Sequence, residues 1–134
     1  MPKFFNPESI NPPFNPYSHG ALIEPNAELL YLAGQAGSDL DGNIIPDFEA
    51  QVRQTYANIE AILNEVGMEL NNIIKATTFL TDRNNLQSMR KIRKEILGDH
   101  KPAHTLLLVS GLAYEEFMIE VECIAARSQL LSRD

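Results

Sequence analysis

The chain has 134 residues, which suits one domain over 1–134 and leaves no room for a second. Its net charge of −7 argues against a nucleic-acid binder, and no stretch approaches the roughly 18 apolar residues that cross a membrane. A lone cysteine, Cys123, cannot form an internal disulfide, and the first residues lack a signal-like apolar run, so the expected setting is reducing and cytoplasmic.

The first 19 residues carry Pro2, Pro7, Pro12, Pro13 and Pro16, which predict an extended, irregular arm. Ala21 to Ile23 and Leu29 to Leu32 are short apolar runs around the turn-prone Glu24-Pro25-Asn26, and they read as a β-hairpin. Gly34, Gly37 and the stretch from Asp39 to Asn43 read as a loop. Asp47 is placed to cap a helix that starts at Phe48. Phe48, Val52, Tyr56, Ile59, Leu63 and Val66 form its apolar face, and Gly67 is a natural residue just past its end. Ile73 to Leu80 is strand by its β-branched content. Asp82, Asn84 and Asn85 can open a second helix, which runs to Leu97 and stops at Gly98. Thr105 to Val109 and Phe117 to Ala126 complete the set as strands.

This order, β-β-α-β-α-β-β, predicts an α+β domain: a mixed sheet with both helices packed on one face. In the last strand Phe117, Ile119, Val121, Cys123 and Ala125 point to the core. Met118, Glu120, Glu122, Ile124 and Ala126 form the other, mixed face, which suits a subunit interface or cleft better than open water.

Four segments carry a resemblance. They are Asn15-Pro16-Tyr17-Ser18, similar to a G-P-Y-S motif; Leu32-Ala33-Gly34-Gln35, similar to S-G-Q; Lys75-Ala76-Thr77-Thr78-Phe79-Leu80, similar to K-T-T-V-F-L; and the segment from Ile119 to Ala125, similar to I-E-I-E-A-I-A. Together they resemble the RidA/YjgF family, whose older name refers to a perchloric-acid-soluble ribonuclease. The resemblance implies a chorismate-mutase-like fold and a homotrimer with three inter-subunit clefts. It also implies hydrolysis of small enamines and imines, such as 2-aminoacrylate, to a keto acid and ammonia, without a cofactor. In that family an arginine in P-A-R-[S/T] pairs with the substrate carboxylate, and a glutamate of the last strand handles water. The matching segment here is Pro102-Ala103-His104-Thr105, so histidine stands in the arginine's place; Ala33 replaces a frequent serine, and Arg90 falls where asparagine is usual.

The candidate catalytic residue is Glu120, and the candidate substrate-binding residues are Tyr17, Gly34, Arg90, Arg93, His104 and Thr105. Glu122 reads equally as a solvated carboxylate. His104 is either a strand-end residue bonded to backbone or a weaker anion donor in the cleft. At about 100° per residue, Arg93 falls inside the apolar arc of the second helix and Arg90 on its edge. A charge there must be paired, for example with an acid at a subunit interface, or must reach an opening and supply the cation that His104 lacks. Cys123 reads as a small core residue, and His19 and His100 carry no assigned role; scattered histidines do not make a metal site. The expected activity is RidA-like hydrolytic deamination of a small enamine, imine or related amino compound, with 2-aminoacrylate a poor fit. The alternative is a non-catalytic trimeric module that binds a small ligand or a protein, and ribonuclease is a weaker third. Neither nucleic acid nor membrane is an expected partner.

Overall fold

The computed structural model describes residues 1–129. Its elements are β1 (Lys3–Phe5), β2 (Gly20–Leu22), β3 (Glu28–Ala36), α1 (Phe48–Glu65), β4 (Ile73–Leu80), α2 (Leu86–Leu97), β5 (Ala103–Leu108) and β6 (Ile119–Arg127). The main sheet has the order β3-β6-β4-β5. β6 lies antiparallel to both β3 and β4, and β4 lies parallel to β5 across the α2 crossover. The sheet is therefore mixed, with both helices on one face, as the element order predicts. One short strand, β1, precedes that order.

Local chemistry sets the helix ends. The Asp47 carboxylate accepts from the Ala50 amide at 3.0 Å and so caps α1. At the other end the Met68 amide donates to Leu63 and the Gly67 amide to Asn64, with Gly67 at φ 77°. This Schellman pattern satisfies terminal carbonyls and needs a left-handed residue where glycine stands. Before α2, Asp82 accepts from the Asn84 amide in a short 3-10 turn, Arg83–Asn85. Gly98, at φ 60°, closes the helix.

Val52, Tyr56, Ile59 and Leu63 of α1 and Met89 and Ile92 of α2 pack on Ile119, Val121, Cys123 and Ala125 of β6. All are at most 3% exposed. Gln51 is fully buried in the same layer. It donates to the carbonyls of Ile45 and Glu116 and accepts from the Met118 amide, so one amide group ties two loop segments to α1 through three backbone groups.

Three sequence expectations are corrected by the strand pairing and a fourth by burial. β2 does not form a hairpin with β3. It pairs with β1, and Gly20 leaves room for the Phe5 ring, which would lie 2.6 Å from an added Cβ. The nine residues of β3 instead find the equally long β6. The arm is therefore tied at both ends: β1 is a strand, and Ser18 donates from its amide to the Pro102 carbonyl and from Oγ to the Lys101 carbonyl. Gly34 is not in a loop but in β3, at a register shift between Leu32 and Gln35. On β6, Ala126 is buried rather than part of the mixed face, because the turn at Leu70–Asn72 packs beside it and Asn72 donates to its carbonyl.

Candidate functional site

Three elements bring the predicted binding residues together. The anchored arm supplies Tyr17, α2 supplies Arg90 and Arg93, and β5 supplies His104 and Thr105; all five line one cavity of about 460 Å³, with Phe14 and Asn15 at its arm side. Arg93 is only 6% exposed. Among the described residues neither Arg93 nor Arg90 is ion-paired with a carboxylate. Burial pulls the Arg93 guanidinium below its ordinary pKa, and the neighbouring Arg90 adds to this. Arginine stays charged under such pressure, so a cation without a counter-charge faces the cavity.

His104 does something its strand-end position does not suggest. Arg93 Nη1 lies 2.9 Å from His104 Nδ1 and 3.0 Å from Nε2, while Nε2 lies 2.8 Å from Thr78 Oγ1. Burial first, then the charges of Arg93, Lys75 and Arg90, push the His104 pKa down to about 3. A neutral imidazole carries one N–H, and guanidinium only donates. Arg93 lies within reach of both ring nitrogens, and with Nδ1, the nearer one, assigned as its acceptor, Nε2–H is left to donate to Thr78 Oγ1. Both ring nitrogens are occupied, so His104 lines the cavity without a donor free for an anion. It positions Arg93 instead. Tyr56 lies behind this group with a buried hydroxyl that has no well-formed partner, and burial raises its pKa while Arg93 opposes the rise.

The residues that sequence reasoning missed are Thr78 and Lys75. Both belong to the segment from Lys75 to Leu80, and strand alternation separates their faces: Thr78 points to the helices and Lys75 away from them. Lys75 Nζ donates to Thr105 Oγ1 at 2.6 Å. Partial burial lowers the Lys75 pKa, and Glu122 opposes the shift.

Gly34 and Glu120 form a second pair. The Glu120 Oε2 atom lies 2.0 Å from where a Gly34 Cβ would stand, so the β3 irregularity and the missing side chain make room for the carboxylate. Glu120 sits opposite Ala36 and Phe79, on the sheet face that carries no helix, and it does not line the Arg93 cavity. Within one protomer the predicted site residues thus fall into two groups. Cys123 is a core residue whose thiol burial pushes up to about 12. Among the described residues no cluster of His, Cys, Asp or Glu has the makings of a metal site, and no helix is long and apolar enough to cross a membrane.

Comparison with known proteins agrees with this architecture. A family model described as Endoribonuclease L-PSP matches residues 8–127. A RutC family protein of Pyrococcus horikoshii is 37% identical over 120 residues, 88% of this chain and 92% of the relative. A bovine protein named 2-iminobutanoate/2-iminopropanoate deaminase is 30% identical over 117 residues, 86% of this chain and 82% of its own. The crystal structure of YyfB, a Rid-family protein from Yersinia pestis, superposes with a TM-score of 0.81 at 27% identity and covers 94% of this chain and 98% of its own. The matched span takes in the arm from residue 8 onwards, both helices and every strand of the main sheet, and on these grounds the chain belongs to the RidA/YjgF family.

Proposed function

We propose that the chain is a hydrolytic deaminase of small enamines or imines that carry an anionic group. The observation that carries this reading is Arg93: a buried guanidinium, held by a neutral histidine, with no carboxylate partner among the described residues and open to a cavity. In the family resemblance an arginine at the position of His104 holds the substrate carboxylate. Here α2 supplies that cation directly beside His104, and the histidine keeps it in place. The kinship to a protein named as an iminobutanoate and iminopropanoate deaminase supports the same reaction class.

Deamination then needs little from the protein. An enamine tautomerises to its imine, water adds to the imine carbon, and the resulting carbinolamine collapses to a carbonyl and ammonia. Glu120 takes a proton from the attacking water and returns it to the departing nitrogen. Tyr17 and Thr105 border the bound molecule. Because Glu120 lies outside the Arg93 cavity of its own protomer, the complete site is built from two subunits of a homotrimer. The placement of the two groups on opposite faces of the sheet within one protomer also favours a second reading, a trimeric module that binds an anionic ligand without turnover. Ammonia release from a panel of imines, made in situ by an amino-acid oxidase, separates the two. Release faster than the spontaneous rate, abolished by Glu120→Gln with ligand affinity intact, supports the enzyme. Ligand binding with no release from any imine supports the module.

A further inference from the structure

The space around Arg93 continues along α2. A second cavity of about 270 Å³ shares Asn15, Arg90 and Arg93 with the first and runs past Lys91 and Lys94 towards Gly98. Gln87, Arg90, Lys91, Lys94 and Leu97 recur at three- and four-residue steps, so they form one stripe of the helix. The joined groove is lined by the cations Arg90, Lys91, Arg93 and Lys94 and by no aspartate or glutamate. That is an unusual concentration in a chain of net charge −7.

The stripe is not neutralised from within. Among the described residues none of the four cations is ion-paired, and the nearby Glu95 is engaged 3.0 Å from Arg53. Like charges at these spacings destabilise a helix, so the stripe is held at a cost. In a concave groove the charges also reinforce one another's field. A monocarboxylate would occupy Arg93 and leave the rest of the stripe without a counter-charge. A nucleic acid needs a longer basic track than the roughly 15 Å that ten residues of helix provide, and the chain as a whole is acidic.

We infer that the groove takes a small dianion, with one anionic group at Arg93 and Arg90 and a second, a carboxylate or a phosphate, at Lys91 and Lys94. Arg90 and Lys94 are four residues apart, about 6 Å along the axis, a spacing that a three- to five-atom chain between two anionic groups can match. This deepens the deaminase reading by assigning it imines with two anionic groups, and it rests on that reading only for the chemistry, not for the binding.

Calorimetric titration at about 0.15 M ionic strength, where surface charges are screened beyond roughly 8 Å, tests it with inert probes. Glutarate is expected to bind at least about tenfold more tightly than butyrate. The variant Lys91→Gln/Lys94→Gln, altered only at exposed positions, is expected to bring that ratio close to one and leave butyrate affinity unchanged. Replacing glutarate by 3-phosphonopropionate shows which second group is preferred. A wild-type ratio near one, a ratio that survives in the double variant, or binding of neither probe overturns the inference. If the ratio holds and no imine yields ammonia, the deaminase reading falls and the dianion groove stands. If ammonia is released and the ratio is one, the groove falls and the deaminase stands.

Discussion

Arg93 and His104 form a unit whose two halves respond differently to substitution. Arg93→Met keeps much of the apolar stem and removes the charge. Since no carboxylate of the described residues pairs with Arg93, the substitution strands no counter-ion and leaves only the His104 Nδ1 acceptor without its donor, so Tm is expected to fall by no more than a few degrees. Turnover, by contrast, should fall by about a hundredfold or more, the effect of losing a charged contact worth a few kcal/mol in the transition state. A fall in Tm of more than about 5 °C would mean that Arg93 pairs with an acid across a subunit boundary. His104→Arg, which reconstructs the motif of the resemblance, is expected to fail. It would set a second guanidinium against Arg93 and near Lys75, the charges that already hold the imidazole neutral. Tm should fall, with no gain in turnover.

The same histidine gives a pH dependence with a definite sign. Its folded-state pKa, about 3, lies below the ordinary 6.5, so between these values the unfolded chain binds the extra proton. Its contribution to stability is present above about pH 6.5 and is lost as pH falls towards about 3. His104→Asn can accept from Arg93 and donate to Thr78 without titrating. The wild-type Tm should therefore fall more steeply than the variant's between about pH 6.5 and pH 4, where His104 alone distinguishes them. Parallel Tm curves would show that the imidazole is not buried neutral in the folded protein.

At the scale of elements, the sequence speaks clearly where the information is local. Asp47, Gly67, Asp82 and Gly98 mark the helix limits through caps and left-handed residues, and β4 is correct from Ile73 to Leu80 because its β-branched content acts within the strand. Pairing is not local. β2 and β3 look like hairpin partners because they are adjacent in the chain, yet the long β6 offers β3 more partners, and the arm, 15 residues away from Gly20 at Phe5, takes β2. The site divides in the same way. Arg93 stands out from helical periodicity alone, whereas its contact with His104 depends on α2 and β5 meeting in space. Gln51 is another case: nothing in its neighbours announces a buried amide that holds three backbone groups. Gln51→Leu is expected to strand the Ile45 and Glu116 carbonyls and the Met118 amide, each worth about 1–3 kcal/mol when buried without a partner. A Tm within about 2 °C of wild type would show that water replaces the amide without cost.

Among the described residues, one face of the main sheet carries no helix. Tyr31 and Leu107 are 70% and 46% exposed, and Phe79 and Ile124 share that face with Glu120. A homotrimer would cover these side chains, and sedimentation equilibrium should then report about three times the 15.0 kDa chain mass. Leu107→Glu should shift this towards the monomer. Assembly also decides how the two halves of the site meet. Arg93→Met lacks the anion contact and Glu120→Gln lacks the proton carrier, so each alone should be inactive. If one subunit supplies the Arg93 cavity and its neighbour supplies Glu120, unfolding the two variants together and refolding them as a mixture creates some sites with both residues intact. Random assortment makes about one site in four complete, because each site draws independently on two neighbouring chains. Recovery of roughly a quarter of wild-type turnover, with none when each variant is refolded alone, supports a shared site. If both residues act within one chain, no assortment can rejoin them, and the mixture stays inactive.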